Sequence, residues 1–347
     1  FDGVKIKEEK VIELTNHIID IIDKMPDKDE THPTYFEITT AIAFQYFSLQ
    51  KLDFALIEVG MGGRLDATNV ITPELCIITS IGLEHTDILG DTYSKIAMEK
   101  AGIIKPSIPV VTGVSVKEAQ DVIINICKEK NAELFIYNRD FSSKINSLTI
   151  ERSDFDYNGV NKHWKNLSIS MIGEHQIFNS SLAICSIELL AQAKLIDLND
   201  ECIYKGLLNA YWTGRMELVS KNPYILLDGA HNPDGAEILN NNLKKYFSDK
   251  RIYMIIGIMK DKDKEKILKN LCQSAYEIIL TTISYERASN PYELYTIAEK
   301  YSNNIKVFPT MTESINYART KAGQNDLICI SGSLFIVGEA ISILKRL

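Results

Sequence analysis

Residues 54–70, FALIEVGMGGRLDATNV, place a carboxylate, Glu58, at the end of an apolar run, with three glycines, Arg64 and Asp66 just beyond it. Glycine permits tight turns and close backbone approach, and ligands of open α/β sheets collect at the carboxyl ends of strands. Glu58 is therefore set to face a ligand, although a plain turn with a solvated glutamate explains the stretch equally well. The run looks like a phosphate-binding loop, yet the chain contains no G-x-x-x-x-G-K-[ST], so the lysine and hydroxyl of that motif are missing. The next apolar run leads into LEHTDILGDT and offers His85. A lone histidine is more often structural than a ligand, but an equivalent position on the neighbouring strand would bring His85 and Glu58 to one ion. Carboxylate, imidazole and phosphate oxygens suit Mg²⁺ or Mn²⁺, and the absence of nearby cysteines argues against a thiolate zinc site. Lys100, in EKAGIIK, lies in a helix entering a turn at Gly102. As an ammonium it would repel a metal unless paired with an anion.

The second half carries its own set. In LLDGAHNPDGA a strand ends at Leu227, and Asp228, Gly229, His231 and Asn232 precede a helix that Asp234 can cap, with Pro233 beside it. A helix N-terminus favours an anion. Arg215, in WTGRME, supplies a fork able to grip phosphate in two places. Asn179, in HQIFNSSLA, starts a helix and is explained as well by capping as by ligand binding. Ser331 and Ser333, in SGSLFIVGE, mark another strand-to-helix turn that capping accounts for.

These residues need a scaffold of strands alternating with helices, an α/β architecture with mostly parallel sheets. The expected strands are 54–59, 75–81, 109–111 and 133–137, with helices near 8–24, 35–51, 92–102 and 116–130. Residues 141–172 are polar, alternating and turn-rich, which predicts a small antiparallel excursion. Helices near 176–194 and 199–209 follow. A second α/β series has strands at 224–227, 252–256, 277–280, 305–307 and 327–330. Its helices lie near 233–247, 262–274, 291–301, 311–322 and 333–345, a Rossmann-like unit. The boundary is expected at residues 211–222. The 347 residues, 45% hydrophobic and 24% charged, fit two globular domains. A net charge of −8 disfavours a broad nucleic-acid surface but leaves room for a local basic pocket. Six scattered cysteines without a CxxC pair read as buried free thiols of a reducing cytosol. No apolar run is long enough to span a bilayer and no signal peptide is visible.

Taken together and in order, TYFEITTAIAF, ALIEVGMGGRLDATNV, LEHTDILGDT, EKAGIIK, HQIFNSSLA, WTGRME and LLDGAHNPDGA resemble the folylpolyglutamate synthase and dihydrofolate synthase family, relatives of the Mur ligases. SGSLFIVGE extends the match towards the C-terminus. The resemblance implies a P-loop NTPase-like central domain at 1–214 and a Rossmann-like glutamate ligase domain at 215–347. The implied activity is ATP-dependent. A terminal carboxylate of dihydropteroate or folate is phosphorylated, and the acyl phosphate is attacked by the amino group of L-glutamate. Glu58 and His85 match magnesium ligands, and Lys100 matches a carbamylated lysine, a change that turns a cation into a carboxylate. Asn179, Arg215 and Asp228 match ATP-binding positions, and His231 a position near the transferring group. Thr34, Tyr35, Phe36 and Glu37, with Leu65, Asp66 and Ala67, match segments lining the pterin or folate pocket. A cytoplasmic monomer without nucleic-acid or membrane partners is implied.

The family's Gly-Lys-Ser loop lies upstream of the equivalent of Phe1, and the chain starts Phe1-Asp2-Gly3 without an initiator methionine. The expectation is an N-terminally truncated member with little ligase activity of its own. The alternatives are another Mur-type ligase, acting on a peptidoglycan-like or cyanophycin-like substrate, and a binding protein without turnover.

Overall fold

A computed structural model describes residues 3–26 and 32–346, so Phe1 and Asp2 lie outside it. Contacts divide the chain into two compact units, Phe1–Tyr137 and Asn138–Leu347. Residues 138–214 therefore group with the C-terminal half, whereas the sequence motifs place them with the first.

The first unit opens with helices α1 (Glu8–Ile22) and α2 (Tyr35–Gln50), followed by β1 (Cys76–Ile78), α3 (Thr86–Leu89), α4 (Tyr93–Ala101), β2 (Val110–Thr112), α5 (Lys117–Glu129) and β3 (Leu134–Ile136). The sheet is parallel in the order β1-β2-β3, with Cys76 opposite Val110 and Val110 opposite Leu134. α4 and α5 bury Ile96, Ala97, Ala101, Ala119, Ile123 and Cys127 against it. The local signals are ordinary ones. Thr34 and Glu37 form a reciprocal capping box that starts α2, and Lys51, at φ 53°, ends it in the left-handed region. The expected strand at 54–59 is absent. The stretch has strand-like composition, but no described strand offers it a hydrogen-bonding ladder, and Leu56 stands 94% exposed. A strand exists only as part of a pair.

The second unit begins with an antiparallel sheet, β4 (Ser142–Leu148), β5 (Ser153–Asn158) and β6 (His163–Ile169), at the expected excursion. α6 (Glu174–Gln192) and α7 (Asp200–Leu208) follow. Glu188 of α6, 3% exposed, accepts from Tyr157 Oη and from the amides of Asn161 and Lys162, which fixes the helix to this sheet. Then come β7 (Glu217–Lys221), β8 (Tyr224–Leu227), α8 (Pro233–Tyr246), β9 (Ile252–Ile256), α9 (Lys264–Leu271), β10 (Glu277–Leu280), α10 (Pro291–Ala298), β11 (Ile305–Val307), α11 (Met311–Lys321), β12 (Leu327–Ser331) and α12 (Leu334–Leu344). The sheet order is β11-β10-β9-β12-β8-β7, parallel except for β7, an antiparallel edge strand with no counterpart among the expected elements. β9, β10 and β12 are buried on both faces, the pattern of a sheet covered on both sides. α8, α9 and α10 fill one face with Leu239, Leu243, Leu268 and Leu294; α11 and α12 fill the other with Ile315, Ile336 and Val337. β12, inserted between β8 and β9, makes the topological switch point, and its carboxyl end is where such sheets hold ligands.

Candidate active site

In the first unit three chain segments meet around the glycine loop. A Cβ at Gly60 would lie 2.4 Å from Phe36 Cζ, so the start of α2 covers this end of the loop. A Cβ at Gly62, whose φ is +69°, would lie 2.9 Å from Leu89 Cδ2, so α3 covers the middle. A Cβ at Gly63 would meet the carbonyls of Glu99 and Lys100 at 2.7 and 2.8 Å, so the end of α4 lies against the far side. Inside the loop, Asp66 Oδ2 accepts from the Met61 amide at 2.9 Å, and Oδ1 from the amide and hydroxyl of Thr68 at 3.0 and 2.6 Å. Burial pushes the Asp66 carboxyl up, but the hydrogen bonds from Thr68, Met61 and Gly60 outweigh it and hold its pKa below the usual value. A one-turn helix, Ala67–Val70, starts on this cap.

The loop is tied to α4 by residues that the sequence motifs did not single out. Arg64 donates from Nε to both Glu99 oxygens at 3.2 Å and from Nη2 to Oε1 at 3.0 Å, and its amide donates to the Glu99 carbonyl at 2.8 Å. Asn69 Nδ2 donates to the carbonyls of Arg64 and Gly102 at 3.0 and 3.2 Å, and Lys105 Nζ to the Asn69 carbonyl at 2.9 Å. Of these acceptors, the Gly102 carbonyl at the end of α4 gains a partner from Asn69, and the Glu99 carbonyl, which also accepts from the Gly102 amide, gains a second. The ion pair is half in solvent, and such pairs contribute only about 0–1 kcal/mol, so its main effect is orientation. The available signal was a glutamate directly before Lys100 and an arginine inside the glycine run.

The residues matched to a metal sit nearby in the chain, in a different way from the expectation. Glu58 lies two residues before Gly60, exposed and in no strand. His85 lies seven residues past the end of β1 rather than at a strand end; it is exposed, precedes α3, and is held at φ 51°. Lys100 is half-buried in the last turn of α4, as expected. None of the three side chains has a hydrogen-bond or ion-pair partner among the described residues. His85 is one of several described non-glycine residues at positive φ, so its backbone alone does not separate function from folding. No group of three His, Cys, Asp or Glu side chains converges among the described residues. One carboxylate and one imidazole would suit an ion that takes one or two protein ligands and completes its shell with water and phosphate oxygens, as Mg²⁺ does. They do not fit a metal caged by protein alone. Of the residues matched to the pterin wall, Phe36 is against the loop, and Leu65 is 79% exposed beside it. Thr34 and Glu37 spend their side chains on the α2 cap, and Tyr35 is 84% exposed.

In the second unit the β8–α8 turn forms the other cluster. Asp228, 8% exposed, accepts from the Met216 amide through Oδ2 and the Ala230 amide through Oδ1, both at 2.9 Å. Burial raises its pKa, against the pull of those amides, Arg215 and His231. His231 Nδ1 lies 2.9 Å from the Gly229 carbonyl. A carbonyl only accepts, so Nδ1 carries the proton and Nε2 of the neutral ring is an acceptor. Arg215 Nη1 lies 3.0 Å from where a Gly229 Cβ would be, and its guanidinium has no hydrogen-bond or ion-pair partner among the described residues. It also lines a cavity of about 420 Å³ with Tyr211, Trp212, Glu217, Met171 and Leu208. The helix cap differs from the expectation: Asn232 is the cap, accepting from the Gly235 amide, with Pro233 at the first position and Asp234 exposed. Pro233 has no amide to bond, so it fits the first helical position, and the cap falls on Asn232, two residues before the expected Asp234. Ser333 caps α12 as expected, while the Ser331 hydroxyl is buried without a partner among the described residues. Asn179 does not start α6. It is the sixth residue of a helix that begins at Glu174, exposed, with Nδ2 3.4 Å from Gln176 Oε1. Burial pushes the Cys76 and Cys127 thiols to about 11 and those of Cys185 and Cys272 to about 12, which leaves them protonated. The expected burial fails at Cys202, which is exposed; all six cysteines are free thiols.

Residues 6–187 match the Mur ligase middle domain, and residues 214–334 the Mur ligase glutamate ligase domain. The fold and these two domain matches define a Mur-type ligase, in the class of ATP-dependent carboxylate–amine ligases. The chain is 36% identical over 348 residues to the dihydrofolate synthase/folylpolyglutamate synthase of Bacillus subtilis (strain 168), covering all of this chain and 80% of that one. Folylpolyglutamate synthase from Thermotoga maritima superposes with a TM-score of 0.86 at 33% identity, over 99% of this chain and 77% of that chain. Mycobacterium tuberculosis folylpolyglutamate synthase, a structure complexed with ADP, superposes with a TM-score of 0.91 at 26% identity, over 99% and 80%. The chain belongs to the folylpolyglutamate synthase/dihydrofolate synthase family.

Proposed function

We propose that this chain carries the acceptor wall, the metal-ligand pair and the glutamate ligase domain of an enzyme that joins L-glutamate to dihydropteroate, to folate, or to both. The observation that carries the reading is the end-to-end match to a bifunctional synthase. In the reaction, a carboxylate oxygen of the acceptor attacks the γ-phosphorus of ATP and ADP leaves. The amino nitrogen of glutamate, having lost a proton, then attacks the acyl carbon; an amide bond forms and phosphate leaves.

The residues divide the work as follows. Glu58 and His85 would hold Mg²⁺, supported by their unpartnered donor atoms. Mg²⁺ offsets charge on a transferring phosphoryl group. Lys100, as a carbamate, presents a carboxylate; as an ammonium it opposes the metal. Arg215 offers an unpaired guanidinium to phosphate oxygens, and Asp228 retains a second lone pair on each oxygen for a ribose hydroxyl. His231, with Nδ1 committed to Gly229, offers Nε2 to accept a proton from the glutamate ammonium. Asn179 is exposed on α6, available to the nucleotide. Thr34–Glu37 and Leu65–Ala67 form the pteroyl wall, with Phe36 and Leu65 as the apolar contributors and Thr34 and Glu37 holding the helix start. The reading places a monomer in the cytosol; no described helix is long and apolar enough to cross a membrane.

The test is calorimetric titration of the 347-residue chain with dihydropteroate, folate, ADP and a UDP-linked peptidoglycan precursor, alongside ATP turnover with glutamate. Saturable binding of a pteroyl acceptor and of ADP, without binding of the precursor, is expected. Preference for the precursor would move the chain to another branch of the Mur ligases. A pteroyl- and nucleotide-binding protein without turnover is the competing outcome of the same test. Substantial folate-dependent ATP hydrolysis by these 347 residues excludes it.

A further inference from the structure

We propose that the Arg64–Glu99 pair is a positioning clamp. It fixes the glycine loop against the last turn of α4, so that the pteroyl wall at Leu65–Ala67 and the side chain of Lys100 keep one relative placement. The proposal deepens the reading of the loop given above and rests on it. Arg64 is the residue directly before Leu65, and Glu99 the residue directly before Lys100. A rotation at either member therefore displaces a functional neighbour. The contact is built from both sides. Gly63 lets the loop backbone reach the carbonyls of Glu99 and Lys100, and Gly102 lets the helix end reach Arg64, whose Cβ and Cα would lie 2.3 and 2.5 Å from an added methyl. The Arg64 amide ties the backbones at 2.8 Å, and Asn69 bridges Arg64 and Gly102. The guanidinium then sets the angle. Nε and Nη2 engage one carboxylate, a planar fork that an ammonium cannot reproduce. Arg64 and Glu99 are 52% and 24% exposed, so the pair adds direction to a contact that the glycines and backbone already hold.

The test uses the full 347-residue chain with Arg64→Lys, Glu99→Gln and the exchange Arg64→Glu/Glu99→Arg. Amide hydrogen exchange is followed over residues 60–70, and dissociation constants are measured for dihydropteroate, folate and ADP. Arg64→Lys and Glu99→Gln are expected to speed loop exchange by up to about fivefold and weaken pteroyl binding by up to about fivefold, with ADP affinity and melting temperature nearly unchanged. The exchanged pair is expected to regain part of both losses. Unchanged loop exchange overturns the clamp. Faster exchange with unchanged pteroyl affinity overturns the positioning role. If the unsubstituted chain binds neither dihydropteroate nor folate, the pteroyl reading itself fails, and the positioning role with it. Because Arg64→Lys keeps the charge and the stem, the test does not depend on the exchanged variant folding.

Discussion

Asp228 offers a sharp energetic test, because its carboxylate is buried and both of its oxygens are engaged by backbone. Met216, just before β7, donates to one oxygen, and Ala230, in the β8–α8 turn, donates to the other. Asp228→Ala would leave both amides without their acceptor in a largely buried region. Each orphaned donor costs about 1–3 kcal/mol, so a loss of about 3–5 kcal/mol is expected. Asp228→Asn keeps one acceptor and turns an amino group towards the other amide, for about 1–3 kcal/mol. With a urea slope of about 3 kcal/mol per molar, the upper end of the usual range as suits a chain of this size, the Ala variant should unfold about 1–2 M earlier. The two tryptophans, Trp164 and Trp212, both lie in the second unit, so fluorescence during urea unfolding reports this loss directly. The pH dependence gives a second check. Burial raises the Asp228 pKa. A carboxyl raised in the folded state contributes stability below its unfolded pKa and loses it as pH rises through the folded one. Asparagine escapes that charge penalty, so the deficit of Asp228→Asn should be largest in acid and narrow as pH rises. An Ala variant unfolding at the same urea concentration, or an Asn deficit that widens with pH, would refute the reasoning.

Gly102→Ala should destabilise the first unit by about 1–3 kcal/mol in thermal melting, since its methyl would press on the Arg64 backbone rather than on a movable side-chain tip. Asp66→Asn should be less stable than the parent at neutral pH. Because the Asp66 pKa is lowered, that advantage is held above the ordinary aspartate range and lost as pH falls through the folded value, so the two proteins should converge in acid unfolding. His85→Gly should be neutral or stabilising by up to about 1 kcal/mol, because it relieves a left-handed non-glycine residue. The same variant should bind Mn²⁺ more weakly by paramagnetic resonance, and a marked loss of stability would show that the imidazole holds the fold.

The second unit was largely legible. Strands 224–227, 252–256 and 277–280 stand where the apolar runs put them, because buried parallel strands need runs rich in Ile and Leu whatever their neighbours, and 305–307 also stands as expected, at the half-exposed edge of the sheet. The edge strand β7 was not visible: Glu217–Lys221 is mixed in composition and becomes a strand only by pairing with β8. The stretch at 54–59 shows the converse, a strand-like composition without a ladder among the described residues. In the site, the types and order of Glu58, His85, Lys100, Arg215, Asp228 and His231 were readable from motifs. The partners of Asp228 were not, nor was the Arg64–Glu99 tie across 35 residues.

The sequence by itself determined the family, the alternation of helices and strands, and the inventory of groups available for phosphoryl and acyl chemistry. These follow from residue type and local spacing, which act over a few positions along the chain. Tertiary structure decided which of those groups remain free. It committed Thr34 and Glu37 to a cap and one lone pair of each Asp228 oxygen to backbone amides, and left the side chains of Glu58, His85 and Lys100 without partners among the described residues. Whether a polar atom is consumed by folding or kept for a ligand depends on which distant donors the packed backbone brings within about 3 Å, and neighbours in the chain carry no record of that.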